Sequence, residues 1–129
     1  MTVHEYLTAA MAPVLADLQT TGGPQPVVVD TEWTEDVESA SAMLRSPDGG
    51  GSGIWIRLTD DKATATAHAT DQVQGWAVEE LWGAAAPTNW PACPHHPETH
   101  PLTASANCGV ARWVCPQDGT GFAAVGSLS

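Results

Sequence analysis

The chain has 129 residues, with fifteen acidic residues against four Lys and Arg and a formal net charge of -11 with histidines neutral. That length suits one compact domain, or one domain with a small appended module, and is enough to bury a real core. An acidic surface with so few Lys and Arg repels phosphate backbones, so direct nucleic-acid binding is not expected, and no apolar run approaches membrane-spanning length.

The three cysteines cannot pair completely, all lie in the last third, and Cys93 and Cys115 are each followed by proline, which fits metal-binding turns better than a secreted disulfide framework. The first thirty residues lack Lys and Arg and carry Glu5 and Asp17, so no secretory signal is expected. These features predict a reducing, cytoplasmic setting.

Thr2-Val3-His4-Glu5 has the form of a capping box. A helix is predicted to follow, with Val3, Leu7, Ala10, Val14 and Leu18, joined by Tyr6, Met11 and Leu15, forming an apolar stripe at three- and four-residue steps. Pro13 should kink it near Met11, and Gly22-Gly23-Pro24 should end it. Val27 to Trp33 is β-branched and aromatic and reads as a first strand. Alternation at Ala40, Ala42 and Leu44, then at Ile54, Ile56 and Leu58, predicts a hairpin about a mobile glycine-rich tip, Ser46 to Gly53. No Gly-Lys-Ser/Thr follows that tip, so it is not a phosphate-binding loop.

Val73, Trp76, Ala77 and Leu81 face one way at helical spacing and predict a second helix ending near Gly83. Alternating Thr and Ala at 63–67 leave its start open between Asp61 and Thr70. The order helix, strand, strand, strand, helix predicts an α+β domain over residues 1–86, a small three-stranded antiparallel sheet covered by helices. Residues 87–129 then form a zinc-ribbon-like module, whose β-hairpin comes from Val110 to Val114 and Gly121 to Val125 about an Asp118-Gly119 turn. Six tryptophans against one Phe and one Tyr supply large anchors; any pair found exposed together would be a candidate contact surface.

The chemistry is concentrated between Trp90 and Leu128. Cys93, His96, His100 and Cys115 offer two sulfurs and two imidazoles, the tetrahedral set that suits a closed structural zinc site with no open position. Pro91, Pro94, Pro97 and Pro101 forbid a continuous helix, so the histidines must sit on a turn-rich loop, already restricted before it closes around an ion. His95 is an alternative to His96, and Cys108 an alternative to one histidine; Cys108 reads as a spare thiol. His4 and His68 stand apart as surface or helix-face residues. The acidic run Asp30, Glu32, Glu35, Asp36 and Glu38 lacks the spacing and glycine of a calcium loop and reads as a solvated segment.

His96-Pro97-Glu98-Thr99-His100 is not a metalloprotease signature, because the glutamate is misplaced and proline prevents the helix that signature needs. A deaminase-type site fails because no Cys-x-x-Cys occurs. The expected function is therefore a non-catalytic, structural zinc-binding module that interacts with a protein partner. The alternatives are a zinc-dependent or cysteine hydrolase and an acidic nucleic-acid mimic.

Cys93-Pro94-His95-His96, His100-Pro101-Leu102, Trp113-Val114-Cys115-Pro116 and the closing Val125-Gly126-Ser127-Leu128 resemble a pattern in small uncharacterised proteins of actinobacteria. Residues 71–82 resemble the helix that precedes it, so the likeness covers the second half well and the first half loosely. It supports the ligand choice, implies no reaction, and departs at Cys108, where a polar residue is expected. Low Lys with high Ala, Gly and Pro is compatible with a GC-rich source.

Overall fold

The computed structural model describes residues 4–30 and 33–128. It is an α+β fold with two helices and two three-stranded antiparallel sheets. Helix α1 spans Glu5–Thr20 and strands β1, β2 and β3 span Val27–Val29, Ser39–Arg45 and Gly51–Arg57. Helix α2 spans Lys62–Gly83, and strands β4, β5 and β6 span Thr103–Asn107, Val110–Val114 and Gly121–Ala124. The expected hairpin near the carboxyl end is thus a three-stranded sheet in the order β4-β5-β6, because Thr103–Asn107 pairs with β5.

The expected capping residue Thr2, with Val3, lies outside the described residues; His4 is the observed N-cap of α1, its Nδ1 accepting from the Tyr6 amide at 3.1 Å. The helix runs uninterrupted through Pro13 and ends as expected. Gly22 takes φ +72°, and the amides of Gly22 and Gly23 donate to the carbonyls of Gln19 and Leu18 at 3.3 and 2.8 Å, satisfying orphan acceptors of the last turn. Leu7, Ala10, Met11, Val14 and Leu18 are buried along one stripe.

Strand β1 is shorter than expected, ending at Val29. Trp33 has left the ladder: its indole Nε1 donates to the Ala42 carbonyl at 3.0 Å and lies against Gly53, where a Cβ would come within 2.8 Å of that nitrogen. The β2–β3 register pairs Ala40 with Ile56 and Ala42 with Ile54, small against large, on the buried face. The glycine-rich tip is shorter than predicted because β3 begins at Gly51. The Ser46 amide donates to Gly50 O at 2.7 Å, and the Ser46 hydroxyl accepts from the buried Trp76 indole at 3.0 Å, tying the hairpin to α2.

Helix α2 starts at the early end of its predicted range, with Asp61 as N-cap accepting from the Thr64 amide. Its buried residues are mostly small: Ala63, Ala65, Thr66, Ala69, Thr70, Val73 and Ala77. Small side chains let α1, β3 and β4 approach it closely, so α2 is the spine against which both sheets pack. Its end is another left-handed cap, with Ala85 at φ 55° and the Ala86 amide donating to Leu81 O at 2.9 Å. His68 is half-buried, edge-on to Trp55 with ring centroids 4.8 Å apart. Among the described residues, no helix is long and apolar enough to cross a membrane.

Asp17 joins the first and last elements of the chain. It is fully buried; Oδ2 accepts from the Trp113 indole and the Gly126 amide, each at 2.7 Å, and Oδ1 from the Leu128 amide at 3.0 Å. A buried carboxylate without such donors would be strongly unfavourable, and here three N–H groups replace water.

Candidate metal centre

Three of the candidate ligands lie on the loop between α2 and β4, and its neck is closed from both sides. The Leu102 amide donates to Pro91 O at 2.7 Å and Ala92 bridges Pro101. Gln74, buried on α2, donates through Nε2 to the carbonyls of Trp90 and Leu102, at 3.1 and 2.6 Å. One amide therefore holds the chain where it enters and leaves the loop. Trp90 is fixed by its indole donating to Thr21 Oγ1 at 3.0 Å and by an edge-on contact with Trp113.

Inside the neck the backbone turns twice, as the prolines require. The His96 amide donates to Cys93 O at 3.0 Å, and the Thr99 amide to His96 O at 3.0 Å. Cys115 directly follows strand β5 and opens a turn in which the Gly119 amide donates to Cys115 O at 2.9 Å, with Gly119 at φ +79°. A residue with a side chain is strained there, which explains Gly119 in the Asp-Gly turn.

The two turns bring Cys93, His96, His100 and Cys115 together, with one ligand atom from each lying within 4.8 Å of all the others. These four are close enough to coordinate a metal ion, and they are the group of that kind found among the described residues. His96 Nδ1 lies 3.7 Å from Cys93 Sγ, 3.6 Å from Cys115 Sγ and 3.1 Å from His100 Nε2. His100 Nε2 lies 3.9 Å from Cys115 Sγ. Both thiols are buried and both imidazoles half-buried.

His100 Nδ1 is 3.1 Å from the Pro101 carbonyl. A carbonyl only accepts, so this contact places the proton on Nδ1 and leaves the Nε2 lone pair facing the cluster. Burial pushes the Cys115 thiol up, and the side chains of Cys93 and Asp118 act the same way; the backbone amides of Asp118 and Gln117 only partly offset this. The set is thus arranged as converging electron-pair donors within one turn-built pocket.

The two alternative ligands lie elsewhere. His95 faces outward, with Nδ1 3.2 Å from Asp118 Oδ2 and its ring edge-on to Phe122. Cys108 is exposed in the β4–β5 turn at φ 53°, followed by Gly109 at 77°. Positive φ at both central residues is the geometry of a two-residue hairpin turn. Gln74 and Asp17, which hold the surroundings of the cluster, carry no motif; the one sign in the sequence is a polar residue beside apolar helix positions.

No family model matches the chain, and neither a curated protein nor a solved structure is significantly similar to it.

Proposed function

We propose that Cys93, His96, His100 and Cys115 hold one zinc ion as the structural, non-catalytic centre of a cytoplasmic protein-interaction module. The observation that carries this reading is the spacing of the donor atoms. A tetrahedral zinc ion about 2.3 Å from sulfur and about 2.0–2.1 Å from nitrogen has S–N edges of about 3.6 Å and an N–N edge of about 3.3 Å. Three of the four S–N separations, 3.6, 3.7 and 3.9 Å, and the N–N separation of 3.1 Å lie close to these values, and all four donor atoms lie within 4.8 Å of one another.

Mixed sulfur and imidazole donors in this arrangement suit zinc better than metals favouring carboxylates or planar nitrogen sets. Four protein donors fill the coordination sphere, which supports a structural role over a hydrolase that must keep a position open. The module is zinc-ribbon-like in that a loop and a β-turn share the ion, with three ligands from the loop and one from the turn. The ion would cross-link Cys93–His100 to the end of β5, and the surface so fixed is what a partner meets.

Elemental analysis of the purified chain tests this reading. It should give one zinc per chain, and Cys115→Ser or Cys93→Ser should reduce that to a small fraction. An unchanged zinc content in either variant would remove that cysteine from the ligand set; no zinc in the native chain would end the proposal.

A further inference from the structure

His95 stands next to a proposed ligand yet turns its ring away from the cluster. Its Nδ1 reaches Asp118 Oδ2 at 3.2 Å, and its ring lies edge-on to Phe122 with centroids 4.9 Å apart. Asp118 and Phe122 belong to the β5–β6 turn and to β6, the unit that carries Cys115, whereas His95 belongs to the Cys93–His96 turn. The contact therefore crosses between the two pieces of chain that must close on the same ion.

Asp118 is well placed to anchor that crossing. Its Oδ1 accepts from the Thr120 amide at 2.9 Å, which orients the carboxylate, and residue 118 lies inside the turn that Cys115 opens and the Gly119 amide closes. Oδ2, the oxygen not bonded to Thr120, is left to face His95.

We propose that His95 and Asp118 are a positioning pair, a latch that docks the Cys93–His96 turn onto the Cys115 turn and so sets how tightly and how long zinc is held. The inference rests on the metal reading above. Partners outside the coordination sphere that orient ligands commonly change metal affinity by about 10- to 100-fold. Both side chains are half-exposed, His95 at 49% and Asp118 at 42%. Solvent screening at such a site places the latch at the lower end of that range, about tenfold.

The test uses the full chain loaded with zinc and measures the rate of zinc release into excess chromogenic chelator. His95→Phe keeps a ring against Phe122 and removes the bond to Asp118; Asp118→Asn keeps the shape and removes the charge. Each should speed release about tenfold. The double variant should be no faster than the faster single one, because both remove the same contact. Far-ultraviolet circular dichroism of the zinc-loaded variants should match the native chain, which separates faster release from a loss of the fold. Release rates within about twofold of native, a double variant equal to the product of the singles, or an altered fold of the zinc-loaded variants would each overturn the latch. If the native chain holds zinc and the variants release it normally, the latch alone fails; if the native chain holds none, the metal reading fails with it.

Discussion

The two halves of the molecule are held together by different physics. Around α1, β2, β3 and α2 the core is aliphatic: Leu7, Val14, Leu18, Leu44, Ile54, Ile56 and Val73 are essentially fully buried. Beyond Trp90 the strands are short, β4 reads Thr-Ala-Ser-Ala-Asn, and the buried groups include two thiols with Trp113 and Leu102 as the large apolar anchors. The first half gains stability by removing apolar area from water, which is non-directional and tolerant. The second half shares the edge of that core through Leu102, Trp113 and Val125 and adds particular polar links, Gln74 across the loop neck and Asp17 beneath Trp113 and the last residues; in the proposed reading the Cys and His cluster is a further one. Each such link is an all-or-none contact, and removing one partner leaves the other buried and unsatisfied.

The largest effect should come from removing the metal. Structural zinc contributes on the order of 10 kcal/mol of apparent binding free energy. After chelation, hydrogen exchange should therefore accelerate strongly in Thr103–Asn107 and Gly121–Ala124, while Ser39–Arg45 and Gly51–Arg57 keep most of their protection. Equal loss in both sheets would merge the two halves into one cooperative unit and break the comparison. Ile54→Ala should act in the opposite way. It creates a cavity in the first core, lowers global stability by about 3 kcal/mol in denaturant unfolding, and leaves zinc content at its native value.

Asp17→Asn sharpens the boundary between the halves. The amide oxygen can replace one carboxylate oxygen, but the amide nitrogen then faces an N–H donor, at a cost of about 2 kcal/mol. Exchange should rise first at the Gly126 and Leu128 amides, with the β2–β3 hairpin little changed. The smallest expected effect is that of Ala85→Gly. Ala85 sits at φ 55°, and relieving the left-handed strain should raise stability by about 0.5 kcal/mol in the same unfolding assay.

What was legible in the sequence follows the same division. Period-two alternation at Ala40, Ala42 and Leu44 and at Ile54 and Ile56 predicts the first hairpin, because burying one face leaves a pattern that local reasoning can see. Strand β4 left no such trace. Apart from Thr103 its residues do not favour strands, and it forms because it pairs with β5 and packs on α2, a tertiary cause. The start of α2 was hidden for a related reason, since a face of Ala and Thr buried against close neighbours shows little amphipathic contrast.

The ligand group was readable because metal chemistry restricts residue types, and Cys and His in proline-rich turns are a narrow choice. Its supports were not. Asp17 meets Trp113 and Leu128 at separations of 96 and 111 residues, and Gln74 meets Leu102 at 28. Nothing local marks an acid or an amide as the partner of a distant backbone. Trp33 was read as the end of a strand because aromatic and β-branched residues share that preference; its position instead depends on the opening above Gly53, on another strand.

X-ray absorption at the zinc edge of the purified native chain tests the central claim most directly. The account predicts a single four-coordinate site with two sulfurs at about 2.3 Å and two imidazole nitrogens at about 2.0–2.1 Å. A first shell of oxygen donors, or one with fewer than two sulfurs, would contradict it.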